Sequence, residues 1–115
     1  MNANFDNNIP IYIQLLDYLK TYIISGQIGC GEKLPSVREL SSMFKVNPNT
    51  MQKALVELES IRLIYTERTN GKYVTNDSKL IEKVREEYAK EIANEFISSM
   101  NKIGINEKAL RLTKT

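Results

Sequence analysis

Two helix-start signatures stand close together in the middle of the chain and leave it little freedom in how to fold. Ser36-Val37-Arg38-Glu39 is a capping box, in which the Ser36 hydroxyl can accept from the Glu39 amide while the Glu39 carboxylate reaches back to the amide of Ser36. Asn47-Pro48 is a second start, with Asn47 at the N-cap, Pro48 at the first helical position and Val46 placed to staple against Met51. The first of these helices therefore ends near Phe44 or Lys45, with Val37, Leu40 and Phe44 facing inward, and only Lys45 to Asn47 join it to the next. Two short helices on so tight a turn, behind a longer first helix, give a helix-turn-helix. A plain helical hairpin has the same periodicity and stays open on these spacings.

Upstream, residues 1–8 read as a frayed, Asn-rich start, and Pro10 opens the longer first helix. Ile9, Tyr12, Leu16, Leu19 and Ile23 recur at spacings of 3, 4, 3 and 4, which predicts one buried stripe. Ser25-Gly26 ends that helix, with Gly26 as a left-handed cap. Gly29-Cys30-Gly31 and Lys33-Leu34-Pro35 read as a turn. After Ser60, Leu63-Ile64-Tyr65-Thr66 and Lys72-Tyr73-Val74-Thr75 read as two strands, and Asn70-Gly71 between them predicts the hairpin turn. A hairpin directly after a helix-turn-helix is a wing.

Composition narrows the function classes. With 115 residues, 42% apolar and 26% charged, the chain has a globular balance and room for one domain with an appendage. No apolar run approaches the roughly 20 residues of a spanning helix, so no membrane association is expected. The polar start lacks the pattern of a secretory signal. A single cysteine, Cys30, cannot make an internal disulfide, and a cytoplasmic location is expected. There is no histidine, which removes His-based triads and His-ligated metal sites, and the five glycines form no phosphate-binding loop. The expectation is a protein that is not an enzyme and carries no cofactor or metal.

The net charge of +2 is too small to argue for nucleic acid by itself. Placement says more: from Ser36 to Leu55 the charges are Arg38, Lys45 and Lys53 against Glu39 alone. On the helix after Pro48, at about 100° per residue, Met51, Ala54, Leu55 and Leu58 cluster on one side. Asn49, Gln52, Lys53 and Val56 cluster on the other, with Thr50 beside them. Asn and Gln pair bidentately with adenine, and Lys reaches guanine or phosphate. Glu57 and Glu59 lie towards the far end of the helix, away from the part that would meet base edges. An ordinary solvated face is equally polar. The wing carries Arg68 and Lys72 around Gly71, placed either to follow a phosphate backbone or to blunt an exposed hairpin.

Residues 78–100 form the longest helical pattern. Ile81, Val84, Tyr88, Ile92, Phe96 and Met100 run at spacings of 3, 4, 4, 4 and 4, widened by Ala89, Ala93 and Ile97. Glu82, Lys83, Glu86 and Lys90 make the opposite face. The stripe either folds back on its own core or pairs with a second subunit across a two-fold axis, and the latter is expected because a winged helix of this size cannot cover it. Gly104 breaks the helix, and a last short helix is expected from Asn106-Glu107 to near Leu112, bringing Ala109, Leu110 and Leu112. Such a tail offers no evident pocket for a small-molecule effector, whose existence and identity stay unknown.

The runs Pro10-Ile11-Tyr12, Gly31-Glu32-Lys33-Leu34-Pro35-Ser36-Val37-Arg38-Glu39-Leu40, Val46-Asn47-Pro48-Asn49-Thr50 and Tyr65-Thr66-Glu67-Arg68 resemble the GntR family of bacterial transcription regulators. The small size and the Val46–Thr50 stretch are most similar to its YtrA-type branch. The resemblance implies a winged-helix DNA-binding domain, a homodimer and a pseudo-palindromic operator. Position by position, it makes Arg38 a backbone contact, places Pro48, Asn49, Thr50, Gln52 and Lys53 on the recognition helix, and places Arg68, Asn70, Gly71 and Lys72 in the wing. Arg62 stands where the family commonly has glycine, so a different helix-to-strand turn is expected, and the wing tip holds less glycine than is usual.

The resulting expectation is an α+β, mostly α chain: a winged helix-turn-helix domain at 9–76 and a helical dimerisation tail at 77–115. Its function would be sequence-specific transcription regulation, as a homodimeric repressor on double-stranded DNA. DNA contacts are expected at Ser36, Arg38, Pro48, Asn49, Thr50, Gln52, Lys53, Arg68, Asn70, Gly71 and Lys72. Dimer contacts are expected at Ile81, Val84, Tyr88, Ile92, Phe96 and Met100. The alternative is a winged helix that docks other proteins, although the Asn49/Gln52/Lys53 face lacks the aromatic anchors such docking favours.

Overall fold

The computed structural model describes residues 3–106. In chain order it contains α1 (Ile11–Ile24), α2 (Val37–Phe44), α3 (Pro48–Ser60), β1 (Ile64–Glu67), β2 (Gly71–Val74) and α4 (Ser78–Lys102). The short helix expected after Asn106 lies outside the described residues. The chain divides into two units, Met1–Glu82 and Lys83–Thr115.

In the first unit, caps set the helix ends. Both halves of the α2 capping box form: the Glu39 amide donates to Ser36 Oγ and the Ser36 amide to Glu39 Oε1, each at 3.1 Å. Asn47 Oδ1 accepts from the Asn49 amide at 2.8 Å and starts α3. Both helices then stop on a residue in the left-handed region, Lys45 (φ +56°) after α2 and Arg62 (φ +65°) after α3. At each stop the backbone closes a pair of bonds, Lys45 to Ser42 with Val46 to Ser41, and Arg62 to Glu59 with Leu63 to Leu58. This is the Schellman arrangement, which satisfies carbonyls the helix end would leave orphaned. The turn after α3 is thus the one a glycine would make, and Arg62 adopts it despite its side chain.

The core is built from Leu15, Leu19 and Ile23 of α1, Leu40 of α2, Met51, Leu55 and Leu58 of α3, and Leu63, Ile64 and Val74 around the sheet. The buried face of α3 is the one its spacing predicts. The α1 stripe needs correction. Leu15, Leu19, Ile23 and Ile24 are the buried residues, Tyr12 and Leu16 are half-buried, and Ile9 is 44% exposed. Leu19 and Ile23 are buried as the spacing predicts, but α1 is apolar on more than one side, and Leu15 and Ile24 are core where the spacing selected Ile9, Tyr12 and Leu16.

Two loop readings also change. Residues 3–9 are tied down on α1: the Gln14 amide donates to the carbonyls of Asp6 and Ile9, and Tyr18 Oη exchanges hydrogen bonds with the Asn4 backbone. Phe5 packs edge-on against Tyr18 at 5.8 Å. The Gly29–Pro35 turn also supplies a third edge to the sheet. Gly31 and Leu34 donate to the carbonyls of Val74 and Lys72, Val74 donates to Glu32, and Lys33 bridges Tyr73. Buried Ile28 and Leu34 anchor this stretch at either end. Gly31 has φ +73° there, a conformation that L side chains rarely adopt.

β1 and β2 pair antiparallel, Ile64 opposite Val74 through Glu67 opposite Gly71. The hairpin turn is centred on Arg68-Thr69, closed by the Asn70 amide on the Glu67 carbonyl, and not on Asn70-Gly71 as read from the sequence. Gly71 instead opens β2 at φ +108°, a conformation that only glycine takes without strain.

Along α4, Ile81 is buried within the first unit. In the second unit, Val84, Tyr88, Ile97 and Met100 are half-buried, while Ile92 and Phe96 are 54% and 50% exposed. Gly104 (φ +84°) ends the helix.

Candidate nucleic-acid interface

With Met51, Ala54, Leu55 and Leu58 turned into the core, α3 presents Asn49, Gln52, Lys53 and Val56 outward, all exposed. The side-chain amides of Asn49 and Gln52 hold no hydrogen bond among the described residues, so their paired donor and acceptor edges are available. Pro48 is exposed at the helix start and Thr50 is half-buried. The Lys53 ammonium lies 3.9 Å from the centroid of the Tyr12 ring, a cation–π contact that links the outer face of α3 to α1. Ile11, Tyr12, Asn49, Thr50 and Lys53 together line a shallow depression. Tyr12 was read from the sequence as core only; nothing in its spacing distinguishes a ring that packs from one that also steadies a cation.

α2 contributes Ser36 and Arg38. The Ser36 hydroxyl is engaged by the Glu39 amide, so its role is to fix the start of the helix. The Ser36 backbone amide, which donates to Glu39 Oε1, then the Ser36 side chain and more weakly Lys33 hold the Glu39 carboxyl below its ordinary value of 4.5. Arg38, one residue further along, is exposed and makes no ion pair among the described residues.

In the wing, Arg68, Thr69 and Asn70 form the exposed tip. Lys33 lies along the hairpin close enough that a Cβ on Gly71 would meet its Cε at 3.3 Å. Lys33, Pro35, Ser36 and the tip residues line one cleft, so the structure adds a cation there that sequence reasoning passed over as turn. Lys72 is placed differently from Arg68. Its ammonium donates to Thr66 Oγ1 at 3.0 Å and lies 3.8 Å from Glu59 Oε1, with only 19% of the side chain exposed. Asn49, Thr50 and Lys53 are therefore gathered at one depression, and Ser36, the wing tip and Lys72 at one cleft, with the Lys72 ammonium turned toward Glu59 at the end of α3.

Among the described residues, no helix is long and apolar enough to cross a membrane. Comparisons with known proteins agree with this geometry. A GntR family transcriptional regulator from Listeria monocytogenes superposes with a TM-score of 0.88 at 44% identity, over 94% of this chain and 95% of that one. The structure of AraR(DBD) in complex with operator ORX1 superposes with a TM-score of 0.59 at 26% identity, over 65% of this chain and 95% of that one. The HTH-type transcriptional repressor YtrA of Bacillus subtilis is 41% identical over 73 residues, 64% of this chain and 56% of that protein. The family model described as bacterial regulatory proteins, gntR family, matches residues 11–74, the span that holds α1, the helix-turn-helix and the wing, and the chain belongs to that family.

Proposed function

We propose that this chain is a homodimeric, sequence-specific DNA-binding transcription repressor that acts in the cytoplasm on an inverted-repeat operator. The observation that carries the reading is the outward face of α3, where two unengaged amides and a cation stand together on a helix whose opposite side is core. Seated in a major groove, Asn49 and Gln52 read adenine edges and Lys53 meets guanine or phosphate. Arg38 fixes the register through the backbone, and the Arg68–Gly71 tip of the wing follows the adjoining phosphates. The solved complex of AraR(DBD) with an operator supports DNA as the partner, and the repressor YtrA supports the sign of regulation.

In this reading the winged-helix domain is residues 9–76, and residues 77–115 pair two subunits. Val84, Tyr88, Ile92, Phe96 and Met100 supply the seam, of which Ile92 and Phe96 are the most exposed, whereas Ile81, also expected there, is already buried in the first unit. Two-fold symmetry sets the half-sites about one helical turn apart, ~10 bp centre to centre.

Titration of duplexes at two salt concentrations tests the assignment. Gln52→Ala loses about 1–3 kcal/mol on the preferred sequence and relaxes the preference, because it removes a base contact. Arg38→Ala weakens all duplexes alike and flattens the salt dependence. A Gln52→Ala variant that weakens every sequence equally contradicts base reading by α3.

A further inference from the structure

Side chains two apart on a strand share a face, and this places Lys72. Ile64 and Val74 are directly paired and buried, so their face of the hairpin is the inner one. Thr66 and Lys72 are the next pair on that same face. There the last turn of α3 brings Glu59. Lys72 donates to Thr66 Oγ1 at 3.0 Å, the Thr66 hydroxyl donates to Glu59 Oε1, and the ammonium is 3.8 Å from the same oxygen. The hydroxyl uses its donor on one side and an acceptor lone pair on the other, so the three groups close a small network. The Lys72 carbonyl also accepts from the Leu34 amide at 2.8 Å, which ties the third sheet edge to the same residue.

We propose that Lys72 is a positioning residue, a strut through which Glu59 holds the wing against the last turn of α3, and that it is not one of the phosphate contacts of the wing; this rests on the DNA-binding reading above. An exposed ion pair alone contributes little. What gives this one an effect is its location, since it joins the element that reads bases to the hairpin that carries Arg68. With the strut in place, the tip is held at a fixed distance from Asn49 and Gln52. Without it, the hairpin keeps its ladder but loses its angle to α3.

Two readouts on the full chain test this. Amide hydrogen exchange on the free protein reports the strut without DNA: Lys72→Met and Glu59→Gln each speed exchange across residues 66–72 several-fold, and the double variant exceeds neither single. Unchanged exchange in Lys72→Met overturns the strut, and Glu59→Gln gives the same reading should Lys72→Met not fold. The second readout uses the duplex that the wild-type chain selects from a random pool. Lys72→Met lowers affinity about threefold to tenfold while the salt slope stays at the wild-type value. Arg68→Ala, the tip reference, flattens the slope by about one. The charge-swapped pair Glu59→Lys with Lys72→Glu returns exchange and affinity to within about twofold of wild type. A salt slope flattened by Lys72→Met as much as by Arg68→Ala, or a swapped pair no better than Lys72→Glu alone, overturns the proposal. A wild-type chain that binds no duplex overturns the DNA-binding reading instead, and the exchange data still decide the strut.

Discussion

At the residue scale, two side chains sit where the backbone favours glycine. Arg62 and Lys45 have φ of +65° and +56°, and each closes a Schellman turn. The left-handed region costs an L-residue roughly 1–2 kcal/mol, part of which a glycine returns to the unfolded state as added freedom. Arg62→Gly is therefore expected to stabilise the protein by about 1 kcal/mol, read as a higher urea midpoint with an unchanged slope. The sequence alone pointed to a different turn because glycine was missing, and that inference was incorrect. Leu63 is fully buried one residue later, and its burial holds the turn whichever residue precedes it. The capping box was legible because its geometry is local. Its Glu39 carboxyl is held below 4.5 chiefly by hydrogen bonds within the box at Ser36. A depressed carboxyl adds stability that is present above its unfolded pKa and is lost as pH falls through the folded value. An NMR titration should find the Glu39 midpoint below 4.5 in the wild type and nearer to it in Ser36→Ala. Ser36→Ala should also cost about 1 kcal/mol near neutral pH.

At the scale of elements, legibility followed the range of the signal. Both helices of the helix-turn-helix announced themselves within four residues of their starts, and the buried side of α3 followed from one apolar face. α1 was read only in part: Leu19 and Ile23 are buried as expected, but Ile9, Ile13 and Leu16 offer a second apolar side, and the core takes Leu15 and Ile24 instead. The third sheet edge at residues 31–34 carried no strand signal of its own; the hydrogen bonds that join it to the hairpin reach a partner some forty positions away. The hairpin was found and its tip misplaced, because Asn70-Gly71 fits a two-residue turn and the ladder instead pairs Glu67 with Gly71. The inner placement of Lys72 was legible in principle, since it stands two residues before Val74. The link between α1 and α3 through Tyr12 and Lys53 was not. Tyr12→Leu keeps an apolar side chain and removes the cation–π contact, so it should lower DNA affinity by about 0.5–1 kcal/mol with no loss of helix content. Circular dichroism beside a binding titration checks both parts.

At the scale of the whole molecule, the proposed function requires two copies of α3 to be presented at once. Residues from Lys83 onward form a unit whose described part is helix up to Lys102, and Ile92 and Phe96 on it are half exposed. Each would bury apolar area in a two-fold pairing, at roughly 25 cal/mol per Å². Replacing both, Ile92→Glu with Phe96→Glu, should yield monomers by light scattering and leave the winged helix folded, with DNA affinity reduced to that of a single half-site. A variant that stays dimeric removes these positions from the seam. The most direct measurement is selection of binding sites from a random duplex pool by the full chain at near-physiological salt. An enriched inverted repeat with centres ~10 bp apart is the expected result, because it reports base reading and two-fold presentation together. A pool that returns no enriched sequence, or a single unrepeated motif, contradicts a dimer that reads DNA through α3.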